Sequence, residues 1–77
     1  MTHLSLTELA TGIAAVVQGI ALDFAARERL AALGVKPGRT VTVVRRMGAR
    51  GPLQLRAGQT DVVLRAEDAA RIQVSTA

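Results

Sequence analysis

The sequence predicts a mainly β fold: a small five-stranded barrel, with one short α-helix after the first strand and a helical turn before the last. Three observations predict it. Short stretches at 40–44, 53–56, 60–65 and 71–74 alternate apolar with polar residues, the period of a half-buried strand. Glycine-containing turns separate most of them. One run, 24–33, carries its apolar residues at helical spacing. Strands this short and numerous in 77 residues close most economically into a curved barrel, and the length fits one domain, 1–77.

In chain order, Leu4, Leu6 and Leu9 give an apolar start. Ser5 and Glu8 have the S-x-x-E spacing of a capping box, which predicts a helical turn that Gly12 breaks. Residues 13–18 read as the first strand, ended by Gly19. Asp23 is placed to cap the helix 24–33. Leu22, Ala26, Leu30 and Leu33 recur every three or four residues and form its apolar stripe.

Gly34, Pro37 and Gly38 build the corner that follows. Gly34 can close a helix in the left-handed conformation. Pro37 cannot continue a helix, and Pro37-Gly38 is a turn dipeptide. In the next strand Val41 and Val43 face one side, and Thr40, Thr42 and Val44 the other. A glycine-rich turn at 48–52 makes a hairpin with 53–56, and 57–59 turns the chain into 60–65, with Val62 and Leu64 inward. Residues 66–70 read as one helical turn, 71–74 as the last strand and 75–77 as a tail.

Composition narrows function. Hydrophobic residues make up 49%, which is globular, yet Phe24 is the sole aromatic. A groove for proline-rich peptides and stacking platforms for single-stranded nucleic acid both need aromatic rings that this chain lacks. Without cysteine there are no disulfides, thiolate metal sites or cysteine nucleophiles. The longest apolar stretch, 12–17, is far below the ~20 residues of a membrane span. A soluble, cytoplasmic protein is expected. The net charge of +4, with nine arginines among ten basic residues, suits an acidic or phosphate-bearing partner, or simply keeps an aliphatic domain in solution.

Catalytic groups are not assembled. His3 stands alone near the terminus, and Glu67-Asp68, adjacent on a helical turn, do not face each other. Gly48-x-x-Gly51 lacks the lysine and following helix of a phosphate loop. No catalytic residue, metal ligand or cofactor is expected. Arg45, Arg46 and Arg50 form a basic cluster at the exposed end of a hairpin, open to an acidic partner or to solvent.

Three segments together resemble a known family. They are Leu30-x-x-Leu33-Gly34-Val35-x-Pro37-Gly38-x-x-Val41-x-Val43, Gly51-Pro52-Leu53-x-Leu55-Arg56 and Leu64-Arg65-x-Glu67-x-Ala69-x-x-Ile72-x-Val74. Their order and spacing resemble FeoA, the small ferrous iron transport protein A. The resemblance implies an SH3-like barrel with a helix after the first strand. It implies a non-enzymatic cytoplasmic accessory protein that contacts FeoB, the membrane transporter for ferrous iron with a cytoplasmic GTP-binding domain. The protein would then meet the membrane only through FeoB. Transition-metal binding follows only at family level, with no ligand residue assigned. The matched residues Leu30, Leu33, Gly34, Pro37, Gly38, Val41, Val43 and Gly51 have structural roles under this reading.

The approach to the helix is more apolar here than is common in that family. Ile20, Leu22 and Phe24 are expected to seal the barrel; exposed instead, they and Arg27 form a partner surface. Arg45, Arg46 and Arg50 are the second candidate partner patch. The alternative function is a nucleic-acid-binding or other protein-interaction SH3-like barrel; the missing aromatics argue against nucleic acid. A regulatory domain like the SH3-like part of metal-dependent repressors is a third reading, though 77 residues leave no room for a DNA-binding helix-turn-helix. Small barrels with exposed edges often pair, so a homo-oligomer is within expectation.

Overall fold

Alternation along the strands sorts residues into an inner and an outer set, and the computed structural model, which describes residues 2–76, shows where each set goes. The elements are β1 (Thr2–Ser5), a 3-10 turn (Leu6–Glu8), β2 (Ala14–Ile20), α1 (Phe24–Ala32), β3 (Thr40–Arg46), β4 (Leu53–Ala57), β5 (Thr60–Leu64), α2 (Ala66–Ala69) and β6 (Ile72–Thr76). All strands pair antiparallel in one sheet, in the order β1-β6-β2-β3-β4-β5. Inward residues of every strand after β1, among them Val17, Val41, Val43, Leu55, Val62 and Val74, join one buried aliphatic cluster with Leu6, Leu9, Leu30 and Val35.

This corrects the expected architecture in three ways. Among the described residues there are six strands, not five: β1 is an extra strand at the N-terminal side, so the helix follows the second strand. The hydrogen-bonded ladder does not close, because its end strands β1 and β5 do not pair. Residues 75 and 76 belong to β6, where buried Ser75 accepts a hydrogen bond from the Gln18 amide at 2.7 Å.

The corner after α1 forms for the reasons its residues suggest. Gly34 has φ +93°, and its N–H donates to the Ala31 carbonyl at 3.0 Å. The Val35 N–H donates to the Leu30 carbonyl at 2.9 Å, which completes a Schellman closure. That closure drops Val35 into the buried cluster to which Leu30 also belongs. Leu33, expected in the core, is the C-cap residue and is 42% exposed: Val35 holds the inward position in its place.

Two irregularities re-aim side chains. Between Val17 and Gly19 the register of β2 against β6 shifts, so the strand bends at Gly19 and runs on to Ile20 instead of ending. Between Val43 and Arg45 the register of β3 against β4 shifts in the same way, pairing Arg45 with Gln54 and Arg46 with Leu53. The extra residue reverses inside and outside for the end of β3. At the hairpin that follows, Gly51 is needed for space: a Cβ there would lie 1.7 Å from the Met47 carbonyl oxygen.

Candidate functional site

The apolar stretch before α1 and the helix itself form one candidate surface. Asp23 is the N-cap, its carboxylate accepting from the Ala26 N–H at 2.8 Å, which fixes where the helix begins. Phe24, the first helical residue, then points away from the sheet and is 69% exposed, contrary to the expectation that it seals the barrel. Ile20 and Leu22 are half-buried and pack against the edge of the core. The Arg27 guanidinium donates to the Leu22 carbonyl at 2.8 Å, so the cation is held over the same stretch. The structure thus brings Ile20, Leu22, Phe24 and Arg27 together around the start of α1.

The apolar stripe of α1 meets the sheet only loosely. Of its members Leu30 alone is buried. Leu22, Ala26, Leu30 and Leu33 line a groove of about 210 Å³ whose other wall is Val62, Val63 and Leu64 of β5, with Arg29 and Asp68 also contributing. Val63, 61% exposed, was the residue not singled out from sequence. The signal was present, since the alternation that turns Val62 and Leu64 inward turns Val63 outward.

The basic cluster of the hairpin is divided. Arg45 and Arg50 are exposed. Arg46 is not part of that exposed patch: the shift in register turns it inward, and its Nη2 donates to the Leu6 carbonyl at 3.3 Å and to the Leu9 carbonyl. Its charge is used to satisfy the end of the 3-10 turn.

One exposed ion pair is well ordered on the outer face of β4 and β5. Arg56 Nε donates to Asp61 Oδ1 at 2.8 Å, and its Nη2 donates to Oδ2 at 3.1 Å. The Gln54 amide donates to the same carboxylate at 2.8 Å. The hydrogen bond from Arg56, then that from Gln54, hold the Asp61 carboxyl below the usual carboxylate range, and Asp61 raises the Arg56 guanidinium in turn.

Among the described residues no three His, Cys, Asp or Glu side chains come together as a metal site. No helix there is long and apolar enough to cross a membrane.

These features can be set beside known proteins. The model of the FeoA domain matches residues 4–76. This chain belongs to the FeoA family. FeoA proteins are small accessory proteins associated with ferrous iron transport, and an SH3-like fold is shared with solved members. A crystal structure of an iron uptake regulatory protein, FeoA, is 27% identical with a TM-score of 0.82, and 97% of each chain is covered. FeoA from Stenotrophomonas maltophilia, a prokaryotic SH3 domain protein crystallised with zinc, is 32% identical with a TM-score of 0.77 over 94% of this chain and 89% of that one. A manganese-dependent transcriptional repressor shares the fold alone, at 20% identity and a TM-score of 0.84 over 97% of this chain and 42% of the repressor. No curated protein matched.

Proposed function

We propose that this FeoA protein is a non-enzymatic regulator of ferrous iron uptake that acts as one domain, 1–77, and binds the cytoplasmic side of the FeoB transporter. The observation that carries the reading is the exposed Phe24, flanked by half-buried Ile20 and Leu22 and by Arg27 fixed on the Leu22 carbonyl. The single aromatic of an aliphatic chain, presented to solvent, suits the centre of a protein contact. Family membership supplies the iron-transport context. Arg45 and Arg50 form a second, charged contact at the far hairpin. Under this reading the protein works in the cytoplasm and reaches the membrane through FeoB.

Calorimetry against the cytoplasmic GTP-binding domain of the matching FeoB tests it, at low and moderate salt. Saturable binding that survives moderate salt is expected, and Phe24→Asp should abolish it without unfolding the protein, because the ring is exposed. Leu22→Asp is the poorer variant, since Leu22 also packs on the core. A duplex and a single-stranded oligonucleotide run in parallel: binding to these alone, falling steeply with salt, would replace this reading with nucleic-acid recognition. Full-length FeoB in membranes is the final arm, and absence of binding by the wild-type protein there as well overturns the proposal.

A further inference from the structure

A cleft of about 420 Å³ lies where the corner after α1 meets the turn between β4 and β5. Arg39, Thr40, Thr42 and Arg56 line it, together with Gly34, Ala57 and Gly58. The fold assembles these from distant parts of the chain. Thr42 and Arg56 stand directly opposite each other in the β3–β4 ladder, on the face away from the core, and Thr40 shares that face two residues along. Arg39 precedes β3, where its carbonyl accepts from the Val17 N–H at 2.9 Å and fixes its backbone.

We propose that this cleft binds a phosphate-type oxyanion. Two guanidinium groups and two hydroxyls supply only donors or donor-capable groups to one concave surface, the complement of a tetrahedral anion. Arg39 has no carboxylate within 4.0 Å among the described residues, so its charge is uncompensated. Arg56 is different. Its Nε and Nη2 are engaged by Asp61, which orients the plane and leaves Nη1 for a ligand, while Asp61 itself does not line the cleft. The C-terminal end of α1 lies close by and would repel an anion if its carbonyls were free. Those of Leu30 and Ala31 accept from the N–H groups of Leu33, Gly34 and Val35, which blunts that repulsion. The chain's one aromatic, Phe24, is not among the lining residues, so recognition rests on the phosphate and not on a stacked base.

This site is separate from the surface around Phe24 and stands or falls independently of FeoB binding. The test is an NMR titration of ¹⁵N-labelled protein with inorganic phosphate, pyrophosphate and a nucleoside diphosphate at constant ionic strength, with chloride as the reference anion. Saturable shifts confined to the amides around Gly34, Arg39, Thr42, Arg56 and Gly58 are expected. Pyrophosphate binding tighter than phosphate would identify a free anion as the ligand, whereas tightest binding of the nucleotide would identify a phosphate ester. Arg39→Gln should weaken binding about ten-fold, the scale of losing one charge-assisted hydrogen bond. Thr42→Val is a second variant of nearly the same shape and should weaken it by a smaller factor. Arg50→Gln, at the distant hairpin, should leave it unchanged. Shifts that never saturate, that appear at all arginines alike, or that saturate with unchanged affinity in Arg39→Gln overturn the proposal.

Discussion

The two helical pieces on the N-terminal side of the chain contrast in an instructive way. The 3-10 turn has three residues, yet it and its C-cap place Leu6 and Leu9 among the most completely buried side chains. It is also tied down by polar contacts: Glu8 accepts from the Ser5 N–H at 2.9 Å, and Arg46 donates to the carbonyls of Leu6 and Leu9. Helix α1 is three times as long and buries only Leu30, leaving Phe24 and its C-cap Leu33 exposed. Length therefore does not rank the two pieces by their hold on the core. The short turn is part of the core, and the longer helix is presented by it.

Four measurements sharpen or break that contrast, each by chemical denaturation unless stated. The largest difference is expected between Leu6→Ala and Phe24→Ala. Removing Leu6 leaves a cavity among fully buried neighbours and should cost about 2–5 kcal/mol. Truncating the exposed ring should stay within about 0.5 kcal/mol. Equal losses would show that α1 is as deeply held as the turn.

Next come the two adjacent arginines. Arg46→Met keeps the aliphatic stem but deprives the Leu9 carbonyl of its donor and the Leu6 carbonyl of one of its two, for about 1–3 kcal/mol. Arg45→Gln, on the exposed side, should lie within about 0.5 kcal/mol. A third, smaller effect comes from the start of α1: Asp23→Ala removes the cap on the Ala26 N–H and should cost about 1 kcal/mol. It should also raise amide hydrogen exchange in the first turn of α1 while leaving the exchange of Leu9 unchanged.

The smallest effect concerns pH. The folded Asp61 carboxyl lies below its unfolded value, near 3.9. Its contribution to stability is therefore present above about pH 4 and is lost as the pH falls through the folded value. Wild type and Asp61→Asn should differ slightly at pH 6 and converge as the pH falls through the folded value.

Much of this fold was legible in the sequence, and the failures share a cause. Gly34, the cap at Asp23 and the inward set Val41, Val43, Val62 and Leu64 follow from local rules of dihedral preference and alternation. β1 did not, because Thr2–Ser5 becomes a strand only by pairing with β6 at the opposite end of the chain. Nor did the inward turn of Arg46. Its local pattern is that of an exposed arginine pair, and only the shift in register against β4 separates the two side chains. Leu33 fell on the predicted stripe but lost its inward place to Val35 when the helix closed. The Phe24 surface was half legible: the apolar run was visible, while its exposure depends on where the Asp23 cap starts the helix. The cleft at Arg39 was not visible at all, since Arg39, Thr42 and Arg56 converge only through β3–β4 pairing.

Gly51 carries a consequence for how this protein can vary. Glycines 12, 34, 38, 48 and 58 all have positive φ, a conformation that side chains rarely adopt and that asparagine tolerates better than most. Gly51 has no such φ, so a scan of backbone angles alone would pass it as replaceable. Its constraint is the Met47 carbonyl, which sits where any Cβ would have to be. Among lineages that keep this hairpin, the five positive-φ positions should drift toward asparagine from time to time. Position 51 should change only together with the length of the loop.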